Sequence, residues 1–464
     1  MQANASGVEN AQGSAALRPL ESLEQLFKRF REPAGLIRHG GHVVEVTATH
    51  FRVGGLSRSA RMGDVVEFRT PRGTRSGEIV QISPGSALVA PFDSSADTGL
   101  GQEVFNRGAI AIRPGDSWRG RVVDALARPM DNAGPLLPGV NTETPEVPAP
   151  LRRQRVDAPF RTGVRVIDIF TPLCYGQRLG IFAGSGVGKS TLLAMLASAD
   201  AFDTVVVALV GERGREVREF LEDTLGEQTM AKTVAVVATS DESAMMRRRA
   251  PDTAMRIAEY YRDRGDRVLL VLDSITRLAH ALREVATGTG EPPVARGYPA
   301  SVFTDLPKLL ERAGPGAEGR GSVTAILSVL VDGDDHNDPV ADSVRGILDG
   351  HVVLDRAIAE QGRYPAVNPL SSISRLAPRA WTDDQRTLAN RLKAMIANFE
   401  DTRDIRLLGA YQAGADPELD LAVRQVPVIY EALTQGTEDP RSIDPFADLA
   451  MHLKSKEKPV DQQV

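Results

Sequence analysis

Eight consecutive residues, Ala183-Gly-Ser-Gly-Val-Gly-Lys-Ser190, set three glycines, a lysine and two serine hydroxyls between an apolar run (Leu179 to Phe182) and a helical pattern (Thr191 to Ala199). A nucleoside triphosphate needs several donors converging on its oxygens. Glycines let successive backbone N–H groups turn inward, and the start of the following helix adds a favourable dipole. Gly184, Ser185, Gly186, Val187, Gly188, Lys189, Ser190 and Thr191 are therefore the candidate ATP-binding residues. In this pattern Lys189 reaches the β and γ phosphates and Ser190 ligates Mg²⁺. Ala183 stands where the strict pattern has glycine, which is acceptable if that position needs no positive φ.

Hydrolysis asks for more: a carboxylate on the metal side, a group to orient water, and a cation for transition-state charge. Asp273 ends the apolar run Val268 to Leu272, and a carboxylate at the C-terminal edge of a parallel strand faces the phosphate site. Its structural alternative is to cap the next helix. Glu212 follows the run Thr204 to Val210 in the same manner, inside Gly211-Glu-Arg-Gly-Arg-Glu216. It is the candidate to orient the attacking water, with Glu216 and Asp273 competing on residue chemistry alone.

The elements that must hold these residues read as three bodies and an arm. From Arg178 to about Asp355, β-branched apolar runs alternate with helical patterns such as APDTAMRIAEYYRDRG. Continuously apolar strands of this kind indicate a parallel sheet covered on both faces, an α/β core. Between Gly35 and about Asn106, short alternating runs (HVVEV, DVVEF, GEIVQI, SALVAPF) separated by turn residues predict a small antiparallel β-barrel. Prolines at 135, 138, 145, 148 and 150 mark an extended connection, and beyond Trp381 only helical patterns remain. Residues 1 to about 16 lack anything to bury and read as disordered. Leu20, Leu23, Leu26, Phe27 and Phe30 then recur at helical spacing, either packed on their own domain or presented to a partner. The expected division is a flexible arm with an amphipathic helix at 1–32, a barrel at 33–106, an ATPase domain at 107–376 and a helical domain at 377–464.

Composition narrows the function classes. The 464 residues carry a net charge of −6, which argues against a protein that coats nucleic acid. The single cysteine, Cys174, cannot form an internal disulfide and reads as a packing residue in a reducing compartment. No apolar run approaches the ~18 residues of a membrane span, and the N-terminus lacks the basic start and apolar stretch of a secretory signal. A soluble, cytoplasmic protein with peripheral membrane contact is expected.

The phosphate loop, GERGRE and LLVLDSITR occur in one order with Pro365-Ala-Val-Asn-Pro-Leu-Ser-Ser-Ile-Ser374, and together they resemble the α and β subunits of rotary ATPases over about residues 30 to 440. The segments 258–284, 291–303 (EPPVARGYPASVF) and 334–356 (DDHNDPVADSVRGILDGHVVLDR) are similar to the flagellum-specific ATPases of type III protein export, and the virulence-secretion ATPases share most of them. The resemblance implies a RecA-like P-loop core with an N-terminal small β-barrel and a C-terminal helical domain. It implies Lys189 and Ser190 on phosphate and Mg²⁺, Glu212 as catalytic base with Arg213 beside it, and Asp273 as the metal-side carboxylate. Tyr364 would stack on adenine, and Arg375 would be an arginine finger given to the neighbouring subunit's ATP. Because Glu212, Arg375 and the lysine are all kept, the resemblance implies a homohexamer whose every subunit is competent. Its implied partners are a stator-like regulator on the N-terminal helix, a central coiled-coil stalk, export chaperone–substrate complexes and a membrane export gate, with no nucleic acid.

Weaker features receive plainer readings. Asp334-Asp-His-Asn-Asp338 reads as a polar turn rather than a metal cluster; in rotary relatives the matching loop touches the stalk. Arg247-Arg-Arg249 reads as a solvated helix face, and Tyr411 as either a core tyrosine or part of an adenine enclosure. Three readings compete with an export ATPase. A rotary ATP synthase β-type subunit would need a non-catalytic partner. An RNA-translocating hexamer related to the transcription-termination helicase would need aromatic platforms on a basic groove, where the aromatics of 35–106 are few and scattered, Phe51, Phe68 and Phe92 among them. A regulatory nucleotide-binding module would lack turnover.

Overall fold

The computed structural model describes residues 39–93, 97–139, 150–156, 158–331 and 338–456. The amphipathic 20–30 pattern, the acidic turn at 334–337 and the last eight residues lie outside these. The chain divides into two compact units between Ile110 and Ala111.

The first unit is a closed antiparallel barrel. Its strands are β1 (Gly40–Val46), β2 (Phe51–Gly54), β3 (Asp64–Thr70), β4 (Gly73–Ser83), β5 (Ser86–Pro91) and β6 (Glu103–Ala109), closing in the order β1-β2-β5-β4-β3-β6. The period-2 pattern turns Val53, Val66, Ile79, Val89 and Val104 inward, where they pack with Phe51 and Phe68. Those two rings meet edge to face at 5.0 Å. Phe92 is buried as well, so none of the three aromatics is available as a stacking platform.

The second unit is built on a nine-stranded sheet. Its main path runs through β7 (Val122–Asp124), β8 (Arg178–Ala183), β9 (Thr204–Val210), β10 (Thr233–Ala238), β11 (Arg267–Asp273), β12 (Ser322–Leu330), β13 (Gly350–Leu354) and β14 (Ile373–Ser374). The spatial order is β14-β13-β8-β12-β11-β9-β10-β7, with Gly314–Pro315 pairing antiparallel to β12. Every ladder from β13 to β7 is parallel, and β14 is antiparallel at the edge. All seven residues of β9 and all six of β10 are buried, which is why these runs lack polar alternation.

Helices cover the sheet. The first that concerns the site, α1 (Lys189–Ala197), leaves the end of β8; α2 (Gly214–Glu219) follows β9. Ser243 and Ser274 cap α3 (Ala244–Asp263) and α4 (Ile275–Gly288) by accepting backbone N–H bonds. Asp338 caps the helix Pro339–Ile347, bonding the N–H groups of Val340 and Ala341, so this member of the acidic turn has a structural task. At the C-terminus, α5 (Asp383–Asp401) opens with a full capping box, Thr382 with Gln385, and packs against α6 (Pro417–Leu433), which meets α7 (Pro445–Lys456). Leu392, Ile396, Val426 and Ile429 from these helices join the same apolar cluster as Leu193 of α1 and Val207 of β9. The helical end and the sheet therefore share one core. Cys174 is buried and forms no disulfide. Among the described residues no helix is long and apolar enough to cross a membrane.

Candidate active site

The site forms at the C-terminal ends of β8, β9 and β11. Register brings them level: Ala183 lies opposite Leu330 on one side and Leu354 on the other, and Leu209 lies opposite Asp273. Ala183 belongs to β8 itself and has no positive φ, which explains why a side chain is tolerated there. Gly186 and Gly188 adopt φ of 78° and 87°, a region L residues avoid, so the turn needs glycine at both positions. Gly188 is the N-cap of α1 and makes no side-chain cap bond. The first N–H groups of the helix are thus left to an anion.

Lys189 bends over this turn into a pair of carboxylates. Its Nζ donates to Asp273 Oδ1 and stands 3.9 Å from Glu212 Oε1. The same Asp273 oxygen accepts the Ser328 hydroxyl at 2.6 Å from β12. Glu212 is 13% exposed, and Arg277 from α4 approaches its Oε1 at 3.4 Å while donating to the Gly211 carbonyl. Burial first, and then the negative charge of Asp273, push the Glu212 carboxyl up to about 7; Lys189 and Arg277 pull the other way. A cleft of about 160 Å³ lies beside these groups, lined by Ser190, Glu212, Glu216, Asp273 and the Val217–Thr224 stretch. Its donors are oxygens, which suits a hard cation such as Mg²⁺ shared with phosphate and water. Among the described residues no set of three or more His, Cys, Asp or Glu could hold a metal unaided.

Tyr364 is 44% exposed, and its ring reaches to 3.4 Å of where a Cβ on Gly188 would sit. The ring therefore lies against the phosphate turn, with a free face.

Comparison with known proteins decides the family. Residues 163–374 match the nucleotide-binding domain of the ATP synthase alpha/beta family, and residues 381–449 match the T3SS EscN ATPase C-terminal domain. The chain is 58% identical to a flagellum-specific ATP synthase of Agrobacterium fabrum over 95% of this chain and 94% of that one. The figures for its Rhizobium meliloti counterpart are 59%, 96% and 96%. A type 3 secretion system ATPase of Xanthomonas euvesicatoria is 42% identical over 90% of this chain and 94% of that one. The chain belongs to the flagellum-specific and type III secretion ATPases. A solved structure of the assembled ATPase EscN from enteropathogenic E. coli superposes with a TM-score of 0.83 at 40% identity, covering 89% of this chain and 100% of that one. A second, of EscN in complex with its central stalk EscO, gives 0.81 at 41%.

The candidate site gathers Lys189, Ser190, Glu212 and Asp273, with Tyr364 against the turn. It does not gather every candidate. Arg213 is exposed and pairs with Glu216 at 3.1 Å on α2. Arg375 follows β14, whose Ser374 pairs with Gly350, and its own N–H bonds the Asp349 carbonyl at 2.8 Å. Leu354, at the loop end of β13, is five residues further on, roughly 16 Å along the strand. The Arg375 side chain is exposed at the end of the sheet away from this chain's own loop. Tyr411 donates to Asp420 at 2.5 Å within the helical end.

Four residues at the site went unread in the sequence: Arg277, Ser328, Arg356 and Gln435. Arg356 donates to the Ser185 carbonyl in the loop at 3.2 Å. Gln435 is buried; its N–H bonds the Tyr364 carbonyl at 2.7 Å, and its side chain bonds Arg165 N–H and the Gly163 carbonyl. Only Arg277 had a sequence signal, three residues past the Ser274 helix start and so on the turn facing the strand ends.

Proposed function

We propose that this ATPase energises type III protein export for flagellar assembly, as a homohexameric ring with ATP sites between subunits. ATP binds with its phosphates on Gly184–Thr191 and its base on Tyr364. Lys189 leaves the carboxylates for the β and γ phosphates, and Glu212, no longer facing the ammonium, orients the water. Ser190, with Asp273 behind it, would hold Mg²⁺, which would supply neutralisation of charge on the phosphoryl oxygens. Arg213 lies beside the base, and Arg375 of one subunit completes the pocket of the next.

The observation that carries this reading is the placement of Arg375: an exposed arginine at the far end of the sheet from this chain's own phosphate turn, where Lys189, Glu212 and Asp273 converge. An arginine supplied in trans contributes about 10³- to 10⁵-fold in rate and ties hydrolysis to assembly. The identity of 58–59% to flagellar relatives against 42% to a secretion ATPase favours the flagellar role over the virulence one. Retention of Glu212 and Arg375 in one chain favours a single-component ring over an ATP synthase β-type subunit. In keeping with this we infer a cytoplasmic enzyme, peripheral at the membrane. Its partners are a stator-like regulator on the N-terminal helix, a central stalk of the kind named for EscN, chaperone–substrate complexes and an export gate. The deciding experiment is specific ATPase activity against protein concentration. A steep rise supports sites completed between subunits, and a constant value at monomer concentrations refutes them.

A further inference from the structure

Beside Tyr364, but lined by no residue of the phosphate loop, lies a second and larger hollow of about 580 Å³ between the 361–363 turn and the helices α5 and α6. Its size falls in the range of small-molecule sites. Three arginines face it: Arg363, Arg403 and Arg406. None has a carboxylate partner among the described residues. The Arg363 guanidinium lies 3.5 Å over the Tyr430 ring and donates to Gln361, while that of Arg406 lies 3.5 Å over Phe399 and donates to its carbonyl. The Nε of Arg406 is buried without a partner, and the Arg403 side chain makes no hydrogen bond or ion pair among the described residues. Of the two glutamates of the lining, Glu431 is paired with Lys456 at 3.1 Å and has His452 at 3.8 Å, while Glu400 accepts from Tyr430, a neutral partner on the same wall.

Three arginines without an ion pair, against the one glutamate of the lining that lacks a cationic partner, leave this hollow net positive in a chain of net charge −6. Stacking fixes two of the guanidinium planes, so their edges present N–H donors in a set direction at little further cost in side-chain freedom. Such forks match the oxygens of a phosphate. We propose that this hollow is a second ligand site, taking a soluble phosphate-bearing anion of at least two charges, separate from the ATP site. Arg363, Tyr430 and Thr434 also wall the small hollow behind Tyr364 and Pro365, so the occupant touches the segment that would carry the base.

The test is calorimetric titration of the full-length Lys189→Ala chain, whose phosphate loop is disabled, with pyrophosphate. One pyrophosphate should bind per chain. Arg403→Glu in that background should weaken it at least tenfold, the scale of one lost charge-assisted hydrogen bond, while Arg403→Lys keeps most of the affinity. Since Arg403 is exposed and unpaired, its variants should melt with the parent. Absence of binding, or binding indifferent to Arg403→Glu, overturns the proposal. So does binding to phosphatidylglycerol vesicles without binding to pyrophosphate, which would make this a membrane-facing surface.

Discussion

Replacing Glu212 by glutamine should abolish hydrolysis and, in nucleotide-free protein, stabilise the fold above neutral pH. The carboxyl titrates at about 7 in the folded site, against 4.5 for its ordinary value. Between those values the folded chain holds a proton that the unfolded chain has lost, so stability falls as pH rises through the window. The gap of about 2.5 corresponds to ~3 kcal/mol, fully expressed at pH 8 and nearly absent at pH 4.5. For a unit of this size that is roughly 4 °C in melting temperature. Glutamine keeps the shape and removes the charge, so Glu212→Gln should melt about 4 °C above the parent at pH 8 and close to it near pH 5. The same titration governs catalysis with the opposite benefit. A base works ionised, so kcat/KM of the parent should fall as pH drops below about 7. Differential scanning at both pH values, with ATP present and absent, is the assay. A Glu212→Gln chain that melts at or below the parent at pH 8 would show that Glu212 is not held against its charge, and the reasoning fails.

Other expectations follow from the same geometry. Lys189→Ala should lose ATP affinity and turnover together, as read by equilibrium binding and phosphate release. Arg375→Ala should bind ATP as the parent does yet hydrolyse about 10³-fold more slowly in the assembled state; unchanged turnover would remove its proposed role. Tyr364→Ala should raise the ATP KM about tenfold, the scale of one base–aromatic stack, with Tyr364→Phe close to normal. Ser328→Ala removes the hydroxyl on the Asp273 oxygen that also holds Lys189, and should raise the Mg²⁺ concentration needed for half-maximal activity several-fold.

What could be read before the fold was known was local. The phosphate turn declares itself because its glycines, lysine and hydroxyl residue are consecutive in the chain, and the buried strands because both their faces are covered. Asp273 and Glu212 were visible because each directly ends, or nearly ends, an apolar run. Ser328, Arg356 and Gln435 were not: they reach the site across 55, 171 and 71 positions of chain, through register and packing that no short pattern encodes. The proximity of Lys189 to two carboxylates was equally hidden, since each follows a different strand. Arg375 was singled out by resemblance alone. Its placement at the opposite end of β13 is a fact of sheet direction, invisible in a linear reading.

That placement has a genetic corollary. If the finger of each chain serves the next, a copy lacking Arg375 spoils a neighbour and keeps its own pocket chemically intact, whereas a copy lacking Lys189 spoils only itself. Cells expressing a mixture of the two defective alleles would then build some rings in which a working finger meets a working loop. Partial motility in such merodiploids, with neither allele functional alone, is the pattern this architecture demands.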